Sequence, residues 1–273
     1  MKKFSGMLFC TDLDGTLLLP DQTVSRENLD AIEYFKREGG AFTFVTGRMP
    51  MGAVRIYETV DPNVPFGCIN GGGIYDHKKS EFLWMASLPP EAMELVKYID
   101  REMPDVGIQL NTAKHIYFNK DNSAMIHFRE VTGLPNITCH FSEVREPVAK
   151  VIFADDDEEK LMRTAKLLRE HPFADKVDFI RSEYTLYEIL PKGISKATAL
   201  HNLVKLLKLD LKRTIAIGDY DNDVAMIRDA GLGIAVENAS DNAKAVADHV
   251  TVNVKEHAIA RVVNDLDRGF LKI

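Results

Sequence analysis

Two aspartates stand two residues apart in Asp12-Leu13-Asp14-Gly15-Thr16, directly after the apolar run Met7-Leu8-Phe9-Cys10. The run reads as a buried strand, so both carboxylates project into one crevice at its end, where open α/β sheets bind ligands. Gly15 lets the chain turn away, and Thr16 can hydrogen-bond back into the turn. Like charges this close raise each other's energy unless a cation or phosphate chemistry uses them. An Asp-Gly turn after a strand is also common without any function. The pair gains meaning from what else the chain brings to the same place.

Three other segments do so. Thr46 follows the apolar run Ala41 to Val45 in Val45-Thr46-Gly47-Arg48, and Asp219, Asn222 and Asp223 follow Thr214 to Ile217. Lys196 opens a helical pattern that Ser195 caps, with Leu200, Leu203, Val204 and Leu207 on its apolar face. In a parallel sheet all strand C-terminal ends share one edge, so these side chains can converge there. The carboxylates of Asp12, Asp14, Asp219 and Asp223, with the Asn222 amide, the Thr46 hydroxyl and the Lys196 ammonium, suit Mg²⁺ and a phosphoryl group. Each segment also has an ordinary explanation. Thr46-Gly47 makes a strand-ending turn, and Asp219 to Asp223 a solvated loop with a helix cap. A lysine at a helix start opposes the helix dipole, a penalty that an anionic ligand reverses.

The elements that must position these residues alternate. Ser25 N-caps a helix carrying Leu29, Ile32 and Phe35, which Gly39 and Gly40 end. Met51 to Val60 reads as a second helix, and Phe66 to Asn70 as a third strand leading into Gly71-Gly72-Gly73. Strands then follow at Glu81 to Ser87, Val106 to Thr112, His115 to Asn119, Val148 to Ala154, Val177 to Arg181 and Thr185 to Leu190. Helices fill Pro90 to Met103, Ser123 to Thr132 and Asp156 to Glu170. After Pro191 the first pattern resumes, and Gly233 to Val236 supplies a fifth core strand. The expected fold class is α/β: a parallel-sheet core from residues 1–76 and 191–273, interrupted by an inserted α+β domain over 77–190. The acids from Asp155 to Glu159 lack the glycine and spacing of a calcium loop and read as a helix N-terminus.

Composition narrows the partners. The net charge of −7, from 41 acids against 34 bases over 273 residues, argues against nucleic acid, which demands a basic face. No stretch approaches the roughly 20 apolar residues of a membrane span, and the N-terminal run is cut short by Thr11 and Asp12, unlike a signal peptide. Cys10, Cys68 and Cys139 make no metal spacing or disulfide framework, which points to the reducing cytoplasm. A monomer and a homodimer are both compatible with the chain.

Asp12 to Thr16, Val45 to Arg48, the lysine of Gly193-Ile194-Ser195-Lys196 and Gly218 to Asp223, in that order, resemble the four motifs of the haloacid dehalogenase (HAD) superfamily. The Gly-Asp-x-x-Asn-Asp form and the size of the insertion resemble its Cof-type sugar-phosphatase branch, with an α/β (C2B-type) cap over a Rossmann-like core. The resemblance implies Mg²⁺-dependent hydrolysis of small phosphorylated metabolites through an aspartyl-phosphate. It implies Asp12 as nucleophile, with Asp14 first as general acid and then as the base that activates water. It further implies Thr46, Gly47, Lys196 and Asn222 at the phosphoryl group. The metal falls to Asp12, the Asp14 main-chain carbonyl and Asp219, with Asp223 supporting the metal shell or Lys196. The inserted domain would select the leaving group, with Tyr117, Asn119 and Tyr184 to Tyr187 as candidate contacts.

Two other readings compete. A phosphomutase or phosphotransferase would use the same nucleophile, and a non-catalytic ligand-binding protein would have no evident reason to keep Asp12, Asp14, Thr46, Lys196 and Asp219 together. A nucleotide-binding dehydrogenase is weaker, since no G-x-G-x-x-G opens the first helix.

Overall fold

A computed structural model describes residues 2–273. Along the chain run β1 (Leu8–Thr11), α1 (Arg26–Arg37), β2 (Ala41–Phe44), α2 (Pro50–Val60), β3 (Phe66–Cys68), β4 (Gly73–Asp76) and β5 (Glu81–Met85). Next come α3 (Glu91–Glu102), β6 (Gly107–Thr112), β7 (Ile116–Lys120), α4 (Ser123–Thr132), β8 (Val148–Ala154), α5 (Glu158–Glu170), β9 (Val177–Glu183) and β10 (Leu186–Pro191). The last stretch holds α6 (Lys196–Leu207), β11 (Thr214–Gly218), α7 (Val224–Asp229), β12 (Leu232–Ala235), α8 (Asp241–Val246), β13 (His249–Val250) and α9 (Ala258–Asp267). Two compact units result: Met1–Trp84 with Ser195–Ile273, and Met85–Ile194.

The first unit is built on a five-stranded parallel sheet in the order β13-β12-β11-β1-β2. β1 lies between β11 and β2, with Leu8 opposite both Thr214 and Ala41. All four of its residues are buried, as a strand covered on both faces requires. Because the chain order reverses on either side of β1, the loops after β1 and β11 leave the same edge side by side. Ser25 caps α1 by accepting the Asn28 N–H at 3.3 Å, and the helix buries Ile32 and Phe35.

The third predicted strand behaves differently from a core strand. β3 stops at Cys68, meets the parallel sheet only through a bridge between Val45 and Gly67, and pairs antiparallel with β4. Between them Ile69, Asn70 and Gly71 all have positive φ (57°, 51° and 92°). That left-handed turn reverses the chain, so β3, β4 and β5 form a separate small sheet. This hairpin belongs to the first unit, and the second unit begins at Met85 and ends at Ile194. Beyond Ala239, where the sequence pattern assigned no element, α8, β13 and α9 complete the first unit.

The second unit is a five-stranded antiparallel sheet in the order β7-β6-β8-β10-β9. Its apolar core joins Leu95 and Ile99 of α3 and Leu161 and Leu168 of α5 to Leu110, Val151, Phe153 and Ile189 of the sheet. The acidic run caps α5: Asp157 accepts the N–H groups of Glu159 and Lys160. Lys150 and Glu188, 2.8 Å apart, form a buried ion pair within the sheet.

Candidate active site

The site grows from the β1–β11 edge. Asp12 continues β1 by donating its backbone N–H to the Ile217 carbonyl at 2.9 Å, which fixes its side chain beside the β11 loop. Gly15 follows at φ 81°, and a Cβ there would overlap the Asp219 carboxylate. Only glycine lets the two loops approach this closely. Thr16 hydrogen-bonds back into its own turn through its backbone N–H, which donates to the Leu13 carbonyl at 3.3 Å. Its hydroxyl reaches across to Asp219 Oδ1 at 3.0 Å.

Lys196 enters from the first turn of α6. Ser195 and Thr198 form a capping box, and Gly71, at φ 92°, packs where a Cβ would run into the Ser195 carbonyl. The Lys196 side chain is 1% exposed, with Nζ 2.5 Å from Asp12 Oδ1 and 2.6 Å from Asp223 Oδ1. Burial opposes the ammonium charge, but the two carboxylates and their hydrogen bonds outweigh it and hold the lysine above its ordinary range.

The carboxylates carry the opposite tension. Burial pushes Asp12 well above the usual carboxylate range, Lys196 pulls it back, and Asp223, Asp219 and Asp14 push it further up. Burial, then the Asp223 charge, raises Asp219 to about 6, against the opposing pull of Lys196 and the Thr16 hydrogen bond. Carboxylate oxygens of Asp12, Asp219 and Asp223 lie within 4.8 Å of one another. A single ammonium leaves this trio with excess negative charge, which a divalent cation would offset.

The donor set fits a hard cation. Lys196 occupies Asp12 Oδ1 and Thr16 occupies Asp219 Oδ1. The second oxygen of each has no hydrogen-bond partner among the described residues, which suits the one or two carboxylates that Mg²⁺ takes alongside water and phosphate. Asp223 is committed elsewhere: Oδ1 holds Lys196, and Oδ2 accepts the N–H groups of Asp219 and Tyr220 at 3.0 and 3.1 Å. It therefore supports the lysine and the β11 loop from behind.

Asp14 stands apart from the trio. Its side chain is 50% exposed and is gripped by Arg48, with Nε on Oδ2 at 2.9 Å and Nη2 on Oδ1 at 2.5 Å. Thr46, buried after β2, turns its hydroxyl to the Arg48 N–H at 3.2 Å. A Cβ on Gly47 would crowd the Asn70 side-chain carbonyl, and that carbonyl accepts the Asn222 amide at 3.1 Å. The β2 loop, the left-handed turn and the β11 loop are thereby joined through side chains.

Sequence reasoning thus named Asp12, Asp14, Thr46, Gly47, Lys196, Asp219, Asn222 and Asp223, and gave no role to Arg48, Gln22, Asn70 or Asn238. Arg48 was visible within its motif. Asn70 carried a cue in the tolerance of asparagine for left-handed backbone. Gln22 is a polar loop residue with no pattern around it, and Asn238 donates its amide to the Gly15 carbonyl at 2.9 Å.

A model of the haloacid dehalogenase-like hydrolase family matches residues 9–263. The chain is 26% identical over 264 residues to the 5-amino-6-(5-phospho-D-ribitylamino)uracil phosphatase YitU of Bacillus subtilis (strain 168), covering 94% of this chain and 96% of that protein. Among solved structures it is similar to a haloacid dehalogenase-like hydrolase from Bacteroides thetaiotaomicron, with a TM-score of 0.85 at 25% identity over 95% of this chain and 99% of that one. It shares the fold of a HAD subclass IIB sugar phosphatase, with a TM-score of 0.82 at 20% identity, covering 97% and 100% of the two chains. With the motif residues gathered at one sheet edge and the family model spanning nearly the whole sequence, the chain belongs to the haloacid dehalogenase-like hydrolases of the Cof type and is a phosphatase.

Proposed function

We propose that this phosphatase hydrolyses small phosphomonoesters, sugar and polyol phosphates among them, with Mg²⁺ bound and through an aspartyl-phosphate on Asp12. The observation that carries the reading is the buried Lys196 bound at once to Asp12 and Asp223, beside an Asp219 carboxylate with an oxygen to spare. Asp12, Asp219 and the Asp14 main-chain carbonyl would hold the Mg²⁺, which when bound neutralises charge on the phosphoryl oxygens.

In the first half-reaction an Asp12 carboxylate oxygen attacks phosphorus as the bond from phosphorus to the ester oxygen breaks. The departing alkoxide takes a proton from the Asp14 carboxyl group. In the second half, Asp14, now a carboxylate, takes a proton from water as the water oxygen attacks phosphorus. The bond to Asp12 breaks, releasing phosphate and restoring the Asp12 carboxylate. Lys196 steadies Asp12 and offsets phosphoryl charge, while Thr46, Gly47 and Asn222 bind phosphoryl oxygens.

The name of the Bacillus relative describes a phosphorylated small molecule, consistent with a metabolite substrate. Residues 85–194 are proposed as the cap that selects the leaving group, and a buried Cys10 kept as a thiol suits work in the cytoplasm. The test is a screen of phosphorylated sugars, polyols, nucleotides and cofactors, with released phosphate as readout. Turnover on single monophosphates should vanish with chelator and return with Mg²⁺. Transfer only in the presence of a bisphosphate activator would instead identify a mutase.

A further inference from the structure

Asp14 is held by a three-donor clamp that the phosphatase mechanism does not by itself explain. Besides the Arg48 fork, Gln22 donates its side-chain amide to Asp14 Oδ1 at 3.3 Å, while its Oε1 accepts Arg48 Nη2 at 2.5 Å. The three side chains close a ring in which each touches the other two. Arg48 is braced a second time, through Nη1 on the Gly52 carbonyl in the first turn of α2 at 3.4 Å. Gln22 is set by local backbone: it sits at φ 63° in the turn where Leu19 and Thr23 pair, with its own N–H on the Leu19 carbonyl at 2.8 Å.

A half-exposed aspartate without such partners would sample several rotamers in water. Here both oxygens are fixed, by a planar fork that matches a carboxylate and by an amide that orients the fork. We propose that Arg48 and Gln22 are positioning residues for Asp14: by holding both of its oxygens they set the direction in which its carboxyl group meets the leaving group. This inference rests on the reading of Asp14 as the proton donor. Misplacing such a group by an ångström is enough to cost on the order of 100-fold in rate.

The test compares kcat/KM on an alkyl phosphate, whose alkoxide needs a proton, with kcat/KM on an aryl phosphate, whose phenolate does not. For both esters kcat/KM reports steps up to departure of the leaving group. Asp14→Asn sets the benchmark by lowering the alkyl-to-aryl ratio. Arg48→Ala should lower the same ratio by about 10-fold or more, Gln22→Ala by less, and Arg48→Lys should restore part of the loss. In the Asp14→Asn background, Arg48→Ala should add little, because it acts through Asp14. Gln22 sits in a surface turn, so its variant keeps the test informative if Arg48→Ala folds poorly. If Asp14→Asn leaves the ratio unchanged, the proton-donor reading itself fails. If Asp14→Asn lowers the ratio but Arg48→Ala and Gln22→Ala reduce both esters equally, with or without Asp14, the positioning role alone is overturned.

Discussion

At the scale of single residues, the site is a balance between buried like charges and one buried ammonium. Asp219 shows the consequence most plainly. Its carboxyl is raised from the ordinary 3.8 to about 6 in the folded chain, so between these values the folded state binds more protons than the unfolded one. Stability contributed by this group is therefore present at low pH and is lost as pH rises through that window. The metal-free protein should accordingly lose thermal stability relative to Asp219→Asn between about pH 4 and 6. Mg²⁺ should then stabilise the native protein more at pH 7 than at pH 4, because the ligand must be deprotonated. Melting temperatures of both proteins across this range, with and without Mg²⁺, measure it; parallel curves would show that Asp219 carries no such strain. Asp12, Asp219 and Lys196 were legible in sequence because each follows a strand or opens a helix. The direction of the Asp14 side chain was not, since it depends on Arg48 and Gln22 meeting it in space.

At the scale of elements, the core strands and helices announced themselves through short apolar runs between capped helical stripes. The exceptions have a common physical source. β3 reads as a core strand because Phe66 to Ile69 is apolar, yet the left-handed turn at Ile69 to Gly71 sends the chain back as a hairpin. No local pattern announces a β-branched residue at φ 57°; it is held there by surrounding structure. That turn buttresses Lys196, since Gly71 packs on the Ser195 carbonyl. Gly71→Ala should therefore destabilise the protein by about 2–4 kcal/mol, combining a strained left-handed backbone with overpacking. It should also lower kcat by displacing Lys196. Urea unfolding and steady-state kinetics on the same preparation check both; a neutral Gly71→Ala would show that the turn does not brace the lysine.

At the scale of the molecule, the chain forms two compact units with separate cores. The sequence announced this through a change of pattern near Glu81, from strands alternating with helices to strand pairs. The junctions were harder to read because β5 continues the hairpin that β4 begins, and its last residue, Met85, already belongs to the second unit. The second unit has its own buried core of Leu95, Ile99, Leu110, Val151, Phe153 and Leu168 and its own five-stranded sheet. Residues 85–194 expressed alone should therefore fold and unfold cooperatively in urea; a broad, non-cooperative loss of circular dichroism would contradict that independence. Asp12, Asp14, Thr46, Gly47, Lys196, Asp219, Asn222 and Asp223 all lie in the first unit, so the phosphoryl chemistry is proposed to reside there and substrate choice in the second.

The central claim is that Asp12 becomes covalently phosphorylated. A phosphomonoester labelled on phosphorus, mixed with enzyme and Mg²⁺ and quenched in acid within a turnover, should leave label on the protein. Peptide mapping should place it on Asp12, and Asp12→Asn should carry none and release no phosphate while keeping its fold by circular dichroism. Label on another residue, or wild-type turnover by Asp12→Asn, would contradict the account.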